Sequence, residues 1–285
     1  MRVEVNGVRL FVDVEGSSLV PDGAVMRERP TVVLVHGGPG ADHTTFKPFM
    51  SEFSENAQII YYDHRGMGRS DLGTPAQWNL AQWADDLAGL LDALELDKPY
   101  IVGGSFGGLV AQAFARTYPH RMSKLALLGT GSRFDAELSA DIFRRRGGEK
   151  AAAIARRFLS GDVDAADEYM EICLPFYQVN EHSKTDFAEA MGRTLFRPET
   201  MNHFFRPGGE RDTTDLRGAL ARVECPTLIL HGDVDPILPE AVAREMYASI
   251  PEGLGAMTVF ENNGHGWGDR EQDWKDALKA FLFAS

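Results

Sequence analysis

Residues 100–115, YIVGGSFGGLVAQAFA, decide the fold that this sequence predicts. The first three, Tyr-Ile-Val, are typical of a short buried strand, and an apolar helical pattern begins at Phe106. Between them, residues 103–107 read Gly-Gly-Ser-Phe-Gly and surround a single serine, Ser105, with glycine. Glycine adopts backbone conformations that other residues resist, so the pattern predicts a sharp strand-to-helix turn that presents the serine oxygen above a sheet.

Similar apolar runs recur along the chain and alternate with helical patterns. Such runs are typical of strands that are buried on both faces of a parallel sheet. They are TVVLVHG (31–37), AQIIYYD (57–63), KLALLGT (124–130) and CPTLILHG (225–232). The alternation favours βαβ units, and therefore an α/β protein with a mostly parallel sheet flanked by helices.

The alternation stops after Gly131 and resumes near Cys225. The residues between them carry helical patterns, many charges and several prolines, without an apolar run of the strand type. We therefore predict one α/β core, formed by residues 1–131 and 223–285, that is interrupted by an inserted helical cap of residues 132–222.

Composition argues against several classes of partner. The chain has 285 residues and a formal net charge of −13. An acidic surface repels phosphate groups, so we expect no nucleic acid and no membrane surface as partners.

No apolar run approaches the length of about 18 residues that suggests a membrane span, and the N-terminal residues lack the apolar core of a signal peptide. Two cysteines without metal-ligand spacing suit a reducing compartment, and we predict a cytoplasmic protein.

A serine becomes a nucleophile only if a base takes its proton and a third group orients that base. On a strand–turn–helix scaffold of this kind, the acid and then the histidine are expected after later strands. Asp235 follows the strand run that ends near Gly232, and His265 lies in a glycine-flanked loop further on. We predict a Ser105–Asp235–His265 triad, with Asp233 on the same loop as the alternative acid.

The sequence also predicts where the negative charge of a tetrahedral intermediate would be received. One backbone N–H should come from Phe106, directly after the nucleophile, and another from the HGGPG loop of residues 36–40. Gly38 is the preferred donor and Gly37 the alternative, because glycine presents its amide without a side chain in the way. The chain has no metal-binding histidine motif, and we expect neither a metal nor another cofactor.

Five motifs, HGGPG, YYDHRGMGRS, GGSFGG, HGDVDP and NGHG, occur in this order and resemble those of the α/β-hydrolase superfamily. They look most like its proline iminopeptidase branch. The resemblance implies the α/β-hydrolase fold and hydrolysis through an acyl-enzyme intermediate. It also implies that the acid comes three residues after the glycine of HGD, which is Asp235, and that Asp63 and Arg65 brace the oxyanion loop.

The sequence departs from that branch at two points. The branch usually carries tryptophan after the nucleophile, where this chain has Phe106. Its cap binds the free α-amino group of the substrate through glutamates, often near a Trp-Glu pair that is missing here. Glu168 and Glu171 are the candidates that this cap offers for binding the amine.

Three classes of function follow from these motifs. The first is a proline iminopeptidase-like aminopeptidase, and the second is a carboxylesterase or lactonase that acts on small uncharged acyl substrates. The third is a non-catalytic small-molecule receptor, against which the complete triad argues. The expected partner is therefore a small-molecule or short-peptide substrate. An acidic cluster of the cap that faces Ser105 would favour the aminopeptidase.

Overall fold

The computed structural model describes residues 1–283, in which eight strands form one sheet. These strands are β1 (Arg2–Val5), β2 (Val8–Glu15), β5 (Thr31–Val35), β6 (Gln58–Tyr62), β7 (Tyr100–Gly104), β8 (Lys124–Leu128), β9 (Thr227–Gly232) and β10 (Gly255–Phe260). The remaining strands, β3 (Leu19–Asp22) and β4 (Val25–Glu28), form a separate antiparallel hairpin.

The sheet has the order β1-β2-β6-β5-β7-β8-β9-β10. The β1–β2 and β2–β6 pairs are antiparallel, and every pair from β6 to β10 is parallel. The predicted α/β fold with a mostly parallel sheet is therefore confirmed. Because the carboxyl ends of parallel strands lie at one edge, the loops after β5, β7, β9 and β10 meet there.

Helices cover both faces of this sheet. They are α1 (Leu80–Ala93), α2 (Phe106–Thr117), α8 (Glu240–Tyr247) and α9 (Glu271–Phe283). Along β5, Val33 belongs to the apolar cluster that contains α1 and α2, whereas Leu34 belongs to the cluster that contains α9. Successive side chains of a strand point to opposite faces, so a continuously apolar strand needs such a cover on both sides.

The segment between β8 and β9 consists of helices. They are α3 (Ala136–Leu159), α4 (Ala166–Ile172), α5 (Glu181–Arg193), α6 (Pro198–Phe205) and α7 (Glu210–Thr213), with short 3₁₀ turns between some of them. Asp135 and Asn180 cap α3 and α5 by accepting backbone N–H groups. These helices lie within residues 132–222, for which an inserted cap stays a prediction. Among residues 1–283, no helix is both long enough and apolar enough to cross a membrane.

Candidate active site

Ser105 lies between β7 and α2 in a conformation that non-glycine residues rarely adopt. Its φ is 52° and its ψ is −122°, and strain of this kind costs of order 1–3 kcal/mol. The neighbouring glycines make the turn possible by close packing. A Cβ on Gly107 would lie 1.9 Å from the carbonyl oxygen of Val35, and one on Gly103 would lie 2.8 Å from that of Gly107. The helix can therefore approach the sheet closely and turn the serine outward.

The structure brings Ser105, His265 and Asp235 together in a hydrogen-bonded line. His265 Nε2 lies 2.9 Å from Ser105 Oγ, and His265 Nδ1 lies 2.7 Å from Asp235 Oδ2. Asp235 follows β9 and His265 follows β10, at the edge of the sheet where Ser105 stands. The arrangement can transfer the serine proton to the imidazole while the carboxylate orients the ring.

Asp235 is completely buried, yet its charge is well compensated. Its Oδ1 accepts the backbone N–H groups of Ile237 and Leu238, and its Oδ2 accepts His265. Burial alone would raise the pKa of Asp235, but the charge of His265 and its hydrogen bond hold that pKa below the usual value. Asp233, the alternative acid, instead accepts the backbone N–H of Asn263.

Gly37, Gly38 and Phe106 all line the same cavity as Ser105. A Cβ on Gly37 would lie 3.4 Å from Ser105 Cβ, and Gly38 has a φ of 140° that favours glycine. Phe106 is the first residue of α2, where backbone N–H groups have no acceptor within the helix. Its ring is buried edge-on against Trp83, so the side chain contributes to packing.

The loop after β5 is braced by the residues after β6. His36 Nε2 accepts the backbone N–H of His64, and burial lowers the pKa of both imidazoles, in keeping with a neutral acceptor. Asp63 accepts both the backbone N–H and the ring of His43. Arg65, by contrast, is fully buried and donates to both carboxylate oxygens of Asp86 on α1, which anchors the loop to that helix.

Replacing Asp63 with Asn is expected to destabilise the protein by about 2 kcal/mol at pH 7. Burial alone would raise the pKa of Asp63, but hydrogen bonds from His43 lower it from 3.8 to about 2. The ionised carboxylate stabilises the folded state fully at pH values above the pKa that Asp63 has in the unfolded chain. This stabilisation is lost as the pH falls towards the lower pKa that Asp63 has in the folded protein. The difference between variant and wild type should therefore shrink to roughly half by pH 3. Urea unfolding at both pH values tests this, and an undiminished difference at pH 3 would contradict it.

A cavity of about 530 Å³ opens above Ser105 between the sheet edge and the helical segment. Its lining is mainly apolar and comes from both parts of the chain. The core contributes Phe46, Phe49, Leu128, Ile237, Leu238 and Trp267, and residues 132–222 contribute Phe134, Phe158, Tyr169, Met170, Leu174, Tyr177, Phe187, Met191, Phe196, Met201 and Phe205. The volume suits a small-molecule substrate with an apolar body.

The charged residues that line this cavity are solvated or already paired. The carboxylates are Asp186, Glu189 and Glu271, and all three are exposed. Of the basic residues, Arg193 is exposed, and Lys47 contacts the carboxylates of Asp13 and Glu15, outside the cavity. Solvated charges of this kind contribute little to binding, because water screens them.

The structure does not bring Glu168 or Glu171 to the cavity. Both lie on α4 with their side chains exposed, and Glu168 pairs with Arg157 at 3.2 Å. Tyr169, next to Glu168, turns inward and is almost fully buried. The interpretation of the two glutamates as ligands for a substrate amine is therefore withdrawn.

Sequence reasoning missed the core side chains that form the floor of the cavity. Trp267 stacks on Phe49 with ring centroids 4.3 Å apart, two residues after His265. The position of Trp267 so close to His265 in the sequence could have indicated that it lines the site. The sequence around Phe46 and Phe49 does not indicate that these side chains approach Ser105. Within the described residues, no group of three or more His, Cys, Asp or Glu side chains is placed to hold a metal ion.

Comparison with known proteins agrees with this fold. The family model for the alpha/beta hydrolase fold matches residues 30–266. The chain is 31% identical over 248 residues to a 2-hydroxy-6-oxo-2,4-heptadienoate hydrolase of Pseudomonas putida, covering 85% of this chain and 84% of that protein. It is 28% identical to a proline iminopeptidase of Lactobacillus helveticus, covering 84% of each. A thermophilic esterase of Thermogutta terrifontis superposes with a TM-score of 0.72 at 26% identity, covering 99% of this chain and 97% of that one.

Proposed function

Because the chain belongs to the alpha/beta hydrolase fold family and is a hydrolase, we propose that it cleaves small, uncharged esters or lactones with apolar acyl groups, with Ser105 as the nucleophile. The observation that carries this proposal is the hydrogen-bonded line from Ser105 through His265 to Asp235, at the floor of a mainly apolar cavity. A neutral substrate with an apolar body matches both the chemistry of this line and the lining of the cavity.

In the proposed reaction, His265 Nε2 takes the proton of Ser105 Oγ as the oxygen attacks the substrate carbonyl. The backbone N–H groups of Phe106 and Gly38 receive the oxyanion that forms, and the amino end of α2 favours the same charge. His265 then gives its proton to the leaving oxygen, and an acyl group remains on Ser105. Water, activated by the same imidazole, releases the acid. Asp235 holds the ring so that Nδ1 carries the proton and stabilises the imidazolium.

The same cavity argues for esters over peptides with a free amino terminus. An aminopeptidase needs carboxylates that bind a positively charged α-amino group close to the nucleophile. The carboxylates of this cavity, Asp186, Glu189 and Glu271, are exposed, and Glu271 already contacts Lys275 at 2.7 Å. Aminopeptidase activity remains the second candidate, supported by the likeness to a proline iminopeptidase and by the two acidic residues that α5 contributes.

A side-by-side assay tests this proposal. We expect kcat/KM for p-nitrophenyl esters to rise about fourfold for each added methylene from acetate upward, until the cavity is filled, because each buried methylene contributes about 0.8 kcal/mol. A prolyl arylamide and the same compound with its amine blocked serve as matched peptidase probes. The ester proposal would be contradicted if the prolyl arylamide with a free amine were cleaved faster than every ester and this cleavage were lost when the amine is blocked. That result would favour the aminopeptidase.

A further inference from the structure

We propose that the helical segment over the site does more than close the cavity: residues 177–183 hold the backbone of the His265 loop, and Gln178 and Asp269 act as positioning residues for the imidazole. The inference rests on the proposed function, in which His265 is the base. It concerns contacts between two parts of the chain that lie about 90 residues apart in sequence.

Both sides of the His265 peptide backbone are bound by consecutive residues of this segment. The backbone N–H of His265 donates to the carbonyl oxygen of Tyr177 at 2.6 Å. The side-chain amide of Gln178 donates to the carbonyl oxygen of His265 at 2.7 Å. Gln178 is only 2% exposed, so this hydrogen bond is shielded from competing water.

The carboxylate of Asp269 joins the same two segments from the other side. It accepts the backbone N–H groups of Val179 and Asn180 at 2.9 Å and that of Gly264 at 3.0 Å. One carboxylate thus ties two amides of the cap to an amide of the His265 loop. Charge-assisted hydrogen bonds of this kind are about twice as strong as neutral ones.

Close packing supports the same contact. A Cβ on Gly264 would lie 2.0 Å from the carbonyl oxygen of Tyr177, so the two backbones approach more closely than any other residue permits. Gly264 does not have a positive φ, and an alanine there would be unfavourable because of this contact rather than because of its own backbone conformation.

Arg146 of α3 extends this set of contacts to the acid loop. Its guanidinium donates to the carbonyl oxygens of Gln178, at 2.6 Å, and Val234, at 3.2 Å. Val234 directly precedes Asp235, so the same cap residues are bound to the loops that carry the base and the acid. A displacement of the cap would therefore disturb the loops of both His265 and Asp235, and with them the alignment of the imidazole with Ser105. Misplacement of a reacting group by about 1 Å can lower a rate about 100-fold.

The test compares Asp269→Asn and Gln178→Met with wild type on a p-nitrophenyl ester. We expect each variant to lower kcat about tenfold or more while KM stays within about threefold, because the base is displaced. Asp269 lies outside the cavity lining, and methionine keeps the approximate length of Gln178, which contributes to that lining. The proton between His265 Nδ1 and Asp235 gives a downfield NMR resonance, which should broaden or disappear in both variants. Asp273→Asn is the matched control, because Asp273 is half-exposed and pairs with Arg270 on the surface.

A second pair of variants keeps the test decisive if a polar substitution impairs folding. Gly264→Ala should reproduce the loss of kcat and of the resonance, whereas Gly192→Ala on α5, where an added Cβ has nothing within 4 Å, should leave both as in wild type. The positioning role would be overturned if Asp269→Asn and Gly264→Ala both kept kcat within about twofold of wild type and left the NMR resonance unchanged. That outcome would leave the proposed function intact, because the ester and arylamide assay and the Ser105 variant test it separately.

Discussion

Ser105→Ala is expected to lower kcat for ester hydrolysis about 10⁴- to 10⁶-fold while leaving the thermal unfolding temperature close to that of wild type. The serine oxygen is the atom that would form the acyl bond, and its removal takes away the covalent step. The fold should tolerate the change, because alanine deletes a single oxygen atom and the turn is held by the packing of Gly103 and Gly107. Continuous release of p-nitrophenol and a circular-dichroism melt measure the two effects.

A matched control for this variant is Ser123→Ala. Ser123 lies on the surface before β8, where its hydroxyl donates to the carbonyl oxygen of Lys98. This control should retain wild-type kcat. Residual activity of Ser105→Ala within about tenfold of wild type would exclude Ser105 as the nucleophile and would assign the hydrolysis to another residue.

Asp235→Asn is expected to lower kcat about 10⁴-fold. The carboxylate accepts a hydrogen bond from His265 Nδ1, so Nε2 is free to take the serine proton. An asparagine can present its N–H₂ group to the imidazole instead, which would place the ring proton on Nε2 and leave the serine without a base. Substrate binding should change little, because Asp235 is completely buried beneath the cavity.

Asp233→Asn is the control that separates the two acids of this loop. Asp233 accepts the backbone N–H of Asn263 through Oδ1, and asparagine retains an oxygen that does the same. We expect kcat of this variant to stay within about threefold of wild type. The reverse result, a large loss with Asp233→Asn and little with Asp235→Asn, would assign the acid to Asp233.

The sheet was predictable because its signals are local. Strands such as β5 and β7 are continuously apolar, and that pattern alone indicates burial on both faces. The glycines around Ser105 were likewise interpretable from the local sequence, because α2 packs so closely against the sheet that a Cβ at Gly103 or Gly107 would have no room. The sequence also predicts that Asp235 and His265 approach Ser105, because the ends of parallel strands meet at one edge.

The lining of the cavity was not predictable in the same way. A helix such as α4 has a charged and an apolar side, and only the packed structure shows that Tyr169 faces inward while Glu168 faces solvent. The contacts of Gln178 and Asp269 with the His265 loop depend on how the helical segment between β8 and β9 packs against that loop. No periodicity in either segment encodes that docking, because it involves backbone groups that every sequence possesses.

The central claim is that Ser105 is the nucleophile of this hydrolase, and covalent labelling tests it most directly. The protein is treated with an alkyl fluorophosphonate, which reacts with an activated serine, and the adduct is located by intact-mass measurement and peptide mapping. We predict one phosphonyl group per chain, on Ser105, and no adduct in Ser105→Ala. An unlabelled wild-type protein, or a label of equal yield on another residue, would contradict the claim.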